Sequence, residues 1–266
     1  MMMPTASAPT TTAIAWCLRD PQGRELSSSA ADRPFYAAST IKLHVLLAAL
    51  RAADRGELDP DATVPATRTF TGEGGAHFTL AGDHLDPTHP GEGEPITVRD
   101  LLVRMIDRSS NEATDHVLSL VGLDAVASVI ADLELPVTRV ERMIGDGAAL
   151  AAGRTNETSA RDLARTLDAI VRDGSVLGSR SRDLARAALG AQRIRIIGRA
   201  VRPGVHVLSK SGWVDGFRHD VAAVGGGADE DRPLVLAVMT CGWDEEAADE
   251  RILATARELL PADLLG

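Results

Sequence analysis

Ser39 and Lys42 stand three residues apart in Ser39-Thr40-Ile41-Lys42. On a helix this spacing stacks both side chains on one face, a turn apart. A serine hydroxyl is a poor nucleophile until a neighbour takes its proton. A lysine amine does so when burial and a nearby cation lower its pKa. The use of cations in this chain sharpens that reading. Of 28 basic residues only Lys42 and Lys210 are lysines, and the rest are arginine. Arginine keeps its proton in a protein, whereas a buried lysine can lose it. Both lysines lie beside hydroxyls, at Ser39 and in Lys210-Ser211-Gly212. One place suits a neutral amine acting on serine, the other a compact point charge. The ordinary reading of Ser-x-x-Lys by itself is a capping serine followed by a surface lysine.

Two further segments carry polar chemistry. Ser109-Ser110-Asn111 precedes a helical stretch, and Ser and Asn are favoured helix caps. The functional reading gives Ser109 a proton-shuttling role toward a leaving group and Asn111 an amide that orients a substrate carbonyl. Lys210-Ser211-Gly212 follows the apolar run Val205-His206-Val207-Leu208. A hydroxyl and an ammonium at a sheet edge can hold a substrate carboxylate, and Gly212 admits a ligand backbone. The ordinary reading is a strand passing into a turn.

These residues need elements to position them. Residues 12–19 read as a buried strand and 24–28 as a second. Ser39 opens a helix to about Arg55 whose apolar residues surround the axis, so it is expected to be buried. Residues 56–96 read as loop. Helices are expected at about 97–108, 111–121, 123–133, 158–173 and 180–190, with Thr97 and Thr158 as N-caps. Residues 205–210, 217–224 and 233–241 read as strands, with Gly225-Gly226-Gly227 turning between the last two. A final amphipathic helix spans about 244–260. The order predicts an α/β fold with an antiparallel five-stranded sheet flanked by helices. The sheet domain is built from both ends, residues 1–36 and 195–266, around an all-α domain of residues 37–194 that carries Ser39.

Ser-x-x-Lys, Ser-x-Asn and Lys-Ser-Gly in this order form a specific trio. With it, the chain resembles the class A β-lactamase-like serine hydrolases. Phe35-Tyr36-Ala37-Ala38-Ser39-Thr40-Ile41-Lys42 is similar to the family's Phe-x-x-x-Ser-Thr-x-Lys. Met105 to Thr114 looks like its Ser-Asp-Asn segment, and Lys210-Ser211-Gly212-Trp213 with the following Arg218 like its Lys-Thr-Gly strand. The resemblance runs from about residue 12 to 260. It implies a sheet domain joined to an all-α domain with the site between them. It implies Ser39 as the acylated nucleophile, Lys42 as its proton acceptor, Ser109 as relay and Asn111 as the amide-binding residue. Lys210 and Ser211, with Gly212 beside them and Arg218 assisting, would hold a substrate carboxylate. The backbone N–H groups of Ser39 and Trp213 would form the oxyanion hole.

Two departures matter. Ser-Ser-Asn replaces Ser-Asp-Asn. The stretch Val137 to Ala148 lacks the family's Glu-x-x-x-Asn, whose glutamate activates the deacylating water. That glutamate's position falls near Ile144. Asp146 is the closest carboxylate downstream, one methylene shorter, and is the candidate for the missing role. Loss of a positioned base slows a step by roughly 10²–10⁴. The expected function is an acyl-enzyme serine hydrolase of amide or ester carbonyls, with β-lactams as the implied substrates and slow release. An esterase or D-amino-acid peptidase of the same fold, or a non-catalytic carboxylate-binding protein, are the alternatives.

Bulk composition narrows the rest. A length of 266 residues suits one large domain or two small ones. Hydrophobic residues are 44 % and aromatics only 3 %, so the core must be Ala, Leu and Val. A net charge of −10 argues against a nucleic-acid surface. No apolar run reaches membrane-spanning length. The start, Met1 to Ala6, has neither a basic nor an apolar leader region; this reads as cytoplasmic as written, or secreted if the start is truncated or misassigned. Cys17 and Cys241 fit neither a disulfide framework nor a metal quartet. His77, Asp83, His84, Asp86 and His89 match no zinc spacing and read as a solvated loop. No cofactor fingerprint is present: Gly72-Glu73-Gly74-Gly75 and Gly145-Asp146-Gly147 do not satisfy the dinucleotide pattern. Adjacent His219 and Asp220 should point to opposite faces of a strand.

Overall fold

Five strands make the principal sheet of the computed structural model, which describes residues 11–82, 84–172, 176–226 and 233–266. They are β1 (Ala13–Arg19), β2 (Glu25–Ser29), β3 (Val207–Val214), β4 (Phe217–Val224) and β5 (Leu234–Cys241). Their spatial order is β3-β4-β5-β1-β2, and every neighbouring pair is antiparallel. The sheet is thus built from both ends of the chain, and β3 forms one edge. Alternation sorts its two faces. Val221 and Ala223 of β4 join the main core, while Ala222 and Val224 join a second cluster on the other face.

Among the described residues, eight α-helices follow the order α1 (Lys42–Asp54), α2 (Val98–Asp107), α3 (Asn111–Val121), α4 (Leu123–Asp132), α5 (Gly147–Ala151), α6 (Ala160–Val171), α7 (Ser179–Gly190) and α8 (Glu245–Leu259). In α1, Leu43, Val45, Leu46, Leu47 and Leu50 are wholly buried. Burying each such aliphatic side chain is worth about 1.5–3 kcal/mol, so α1 is fixed by packing on all sides. Its core extends without a break through α2 and α6 to β1, β4 and β5. The helix that carries the candidate base is therefore wedged between the other helices and the sheet. On the opposite sheet face, α8 packs Ile252, Leu253 and Ala256 onto Leu236 and Val238.

Several elements differ from the sequence reading, each for a local reason. Thr97 caps α2, accepting from the Asp100 N–H, as expected. The cap of α6 is Ser159 instead of Thr158; Thr158 lies in the short strand Asn156–Thr158, and its hydroxyl pairs with Thr138. Residues 56–96 are not all loop. Thr63–Pro65 pairs with Pro95–Thr97, and Thr69–Thr71 with His77–Thr79. Each of these strands carries one central apolar residue (Val64, Ile96, Phe70 or Phe78), and three residues are too short a run for alternation to be read. Asp86 and His89 are only 5 % exposed, because the Glu112 carboxylate accepts from the Asp86 N–H and draws this segment onto α3. β3 continues to Val214, so Lys210-Ser211-Gly212 lies inside the strand and not at its end. Gly225 and Gly226 turn with positive φ, while Gly227 lies outside the described residues.

Candidate active site

Ser39 lies in one 3-10 turn, Ala38–Ile41, that leads directly into α1. The sequence spacing suggested that Ser39 opened the α-helix itself; the tighter turn still aims it at Lys42. Ala38, just before it, has φ of 47°, a left-handed conformation rare for a residue with a Cβ. Ser109 has φ of 58°. Strained backbone of this kind persists where surrounding structure enforces it, and it clusters at functional sites.

Lys42 is completely buried, and its Nζ is the hub of the cluster. It lies 2.6 Å from the Ser109 carbonyl oxygen, 2.8 Å from Asn111 Oδ1, 3.0 Å from Ser39 Oγ and 3.1 Å from Ser109 Oγ. The two carbonyl oxygens only accept, so they take two N–H bonds. A neutral amine then has its lone pair left for a hydroxyl hydrogen, and Ser39 stands at that distance. Burial pushes the Lys42 pKa well down, and the charge of Lys210 pushes it the same way. Asp115 and Glu112 oppose these effects. The net effect of its surroundings is to shift Lys42 toward the free amine.

The Ser-Ser-Asn segment serves two purposes one residue apart. Ser110 caps α3 by accepting from the Ala113 N–H, the ordinary role of such a residue. Ser109 and Asn111, on either side of it, turn to Lys42. Ser109 Oγ is also 3.0 Å from Lys210 Nζ, so this hydroxyl bridges the two lysines. Lys210 is fully buried, and its ammonium also donates to the Ser211 carbonyl oxygen at 2.7 Å. Burial lowers its pKa to about 7, against the opposing charge of Asp220.

β3 meets the serine turn backbone to backbone at Gly212. A Cβ there would lie 3.0 Å from Thr40 Cγ2, 3.1 Å from Thr40 N and 3.2 Å from the Ala37 carbonyl oxygen. Glycine at this position lets the strand reach the turn. It also sets the N–H groups of Ser39 and Trp213 on adjoining segments. The Trp213 ring is partly exposed and meets His84 at 5.6 Å between centroids, while the His84 carbonyl accepts from Asn111 Nδ2.

Two residues named from the sequence sit elsewhere or are otherwise engaged. Asp146 caps α5: Oδ1 accepts from the Ala149 N–H and Oδ2 from the Glu73 N–H at 2.8 Å. Both oxygens are occupied away from Lys42, so Asp146 is not brought into the cluster. Arg218 pairs across the strands with Trp213, and Ser211 with Asp220, which puts Ser211, Trp213 and Arg218 on one sheet face. Lys210 and Gly212 occupy the other. Arg218 is held by Asp249 and Glu245 of α8. His219 and Asp220 point apart, His219 toward the Tyr36 carbonyl and Asp220 toward the Ile197 N–H.

Sequence reasoning missed Asp115. It lies one turn beyond Asn111 on α3, is fully buried, and accepts from the Ile144 N–H at 2.8 Å. Its other oxygen has no partner, and burial raises its pKa well above the usual carboxylate value. The i, i+4 spacing from Asn111 was the available signal.

The comparisons agree with this geometry. A family model described as the beta-lactamase enzyme family matches residues 5–260. The β-lactamase from Sphaerobacter thermophilus is 27 % identical, with a TM-score of 0.77 over 95 % of this chain and 94 % of that one. PBP-A superposes with a TM-score of 0.75 at 22 % identity, covering 94 % of this chain and 89 % of its own. A leucine-to-glutamate variant of PBP-A, solved as its acyl-enzyme complex with penicillin G, gives 0.74 at 22 % identity over 92 % and 88 %. Among curated proteins, none matches the sequence.

Proposed function

The chain belongs to the beta-lactamase enzyme family, and from that premise we propose that it is a serine hydrolase that forms an acyl-enzyme on Ser39. The observation that carries this reading is the buried Lys42 amine 3.0 Å from the Ser39 hydroxyl, held by two carbonyl acceptors that leave its lone pair free. In acylation the Ser39 proton passes to Lys42 as Oγ attacks the substrate carbonyl carbon. Negative charge grows on the carbonyl oxygen, where the Ser39 and Trp213 N–H groups receive it. The Lys42 proton then reaches the leaving group through Ser109, which touches both lysines. Water releases the acyl group in a second step. Asn111 orients the substrate amide.

The substrate class that fits is a β-lactam, or a peptide or ester of similar shape. Ile144 stands where the family's water-activating glutamate falls, and Asp146 is turned away, so acylation should outrun release. A binding protein that only keeps the fold is disfavoured: a ligand-binding site has no use for an amine whose charge burial works against.

Intact-mass measurement after incubation with penicillin G and with a chromogenic cephalosporin tests this. The expected result is a stable adduct on Ser39 with slow colour development. Lys42→Met should reduce labelling by roughly 10²–10⁴. Undiminished labelling of that variant, or an adduct at another residue, ends the proposal. Labelling by p-nitrophenyl esters with no response to β-lactams assigns the same chemistry to an esterase.

A further inference from the structure

We propose that Glu112 is a positioning residue: it pins residues 84–89 against α3, so that the His84 carbonyl aims the Asn111 amide at the side-chain amide of a substrate. This rests on the acyl-enzyme reading and deepens it at the same site. Glu112 lies in the first turn of α3 and is wholly buried. A buried carboxylate is costly unless it is paired and hydrogen-bonded. Its donors come from three separate segments. The Asp86 N–H lies 3.0 Å from Oε1 and 3.1 Å from Oε2. The Ser110 hydroxyl donates to Oε2 at 3.1 Å, and Arg68 Nε stands 3.5 Å from Oε1. The departure from Ser-Asp-Asn gains a structural sense here: position 110 carries a hydroxyl donor, and the acid stands two residues later.

Two residues before Asp86 the chain touches the site. The His84 carbonyl accepts from Asn111 Nδ2 at 3.3 Å, while Asn111 Oδ1 takes an N–H of Lys42 at 2.8 Å. One N–H of the amide is thus spent on His84, and the other is left for a substrate carbonyl. The His84 ring also meets the Trp213 ring. From α2, Arg104 grips the same segment, at 3.1 Å from Asp86 Oδ2 and 2.8 Å from the Thr88 carbonyl oxygen. Without Glu112 the Asp86 N–H has no acceptor on α3, the segment can draw away, and the Asn111 amide loses the carbonyl that sets its rotation. The simpler alternative is that Glu112 only stabilises the fold. It would then slow every acylating substrate alike.

The test compares acylation of Ser39 in the full chain by penicillin G, which carries a side-chain amide, and by aminopenicillanic acid, the same nucleus with a free amine in its place. Glu112→Gln sets an amide NH2 among groups that donate to the carboxylate. It should lower the ratio of the penicillin G rate to the aminopenicillanic acid rate about three- to tenfold. Glu112 also opposes the fall of the Lys42 pKa; that effect is common to both compounds and cancels in the ratio. Asn111→Ala should lower the ratio as well, and the double variant should lower it no further, because residues acting through one contact are not additive. Arg104→Gln loosens the same segment from α2 at a side chain that is 21 % exposed, and takes the place of Glu112→Gln if that variant fails to fold. An unchanged ratio in the variant that folds, or an additive loss in the double variant, overturns the proposal. Labelling of Ser39 by neither compound in the parent overturns the acyl-enzyme reading itself, an outcome distinct from the other two.

Discussion

Asp115 shows how one side chain holds a loop and sits beside a base without belonging to any motif. Its Oδ1 ties the Ile144 N–H to α3, one turn from the Asn111 that touches Lys42. Asp115→Ala leaves that N–H without an acceptor, a loss of about 1–3 kcal/mol. Asp115→Asn keeps an acceptor of the same shape and should stay within about 1 kcal/mol of the parent. Urea unfolding distinguishes them, and equal midpoints for the two variants would show that the bond contributes nothing. The tether also bears on release of the acyl group. Ile144→Glu places a carboxylate on a backbone position fixed to the helix that bears Asn111. It should speed loss of the Ser39 adduct by about 10-fold or more, read by mass spectrometry over time. Unchanged or slower loss would mean that the loop path differs from the family's. The roles suggested for Ser39, Lys42, Ser109 and Asn111 were legible in types and spacing. That of Asp115 was not, because an Asp four residues on from an Asn is common on any helix.

At the scale of elements, the site depends on an edge strand pressed against a 3-10 turn. The contact at Gly212 leaves no room for a side chain. Gly212→Val must push β3 from the turn or deform Ala37–Thr40, at about 1–3 kcal/mol for overpacking. Separation of Ser39 from the Trp213 N–H should reduce acylation by about 10² or more, the loss typical of a missing oxyanion donor. Stopped-flow labelling compared with thermal unfolding checks this: acylation should fall far more than stability. Helices α1, α2 and α3 were readable because each has an apolar face or a capping residue of the preferred type. The strand pairs within 63–97 escaped because one apolar residue in a run of three carries too little period to read. The full length of β3 escaped because Lys210, Ser211 and Gly212 look like a turn until the pairing with β4 is known.

The whole molecule carries the electrostatic consequences of burying two amines. Lys42 and Lys210 bind fewer protons folded than unfolded, because burial lowers both from 10.5, Lys210 to about 7. Stability rises with pH wherever the unfolded chain binds more protons. Asp115 and Asp220, whose carboxyls burial raises, Asp220 to about 7, hold protons that the unfolded chain has lost and offset part of this. The upward shift of thermal unfolding between pH 7 and 9 should therefore be clearest in the difference between the parent and Lys210→Met. Above pH 9 the Cys17 thiol, raised to about 11 by burial, works in the opposite sense. Lys210→Met should flatten part of the rise. A difference between parent and Lys210→Met that is level or falls from pH 7 to 9 would mean that Lys210 keeps its charge when folded.

Sequence alone determined the chemistry available: two lysines in a chain of arginines, each beside a hydroxyl, and a strand–helix–strand order that closes one sheet from both ends. Those features are local, set by residue type and by the periods of helix and strand. Tertiary structure alone decided which groups meet across 67 to 101 residues of chain, as Lys42 with Ser109 and Lys210 with Ser109 do. It also turned Asp146 into a helix cap, gave Asp115 the loop, and matched Arg218 with two acids. The physical reason is that a carboxylate's role depends on which donors and cations folding brings within about 3 Å of it, and residue spacing along the chain does not encode that.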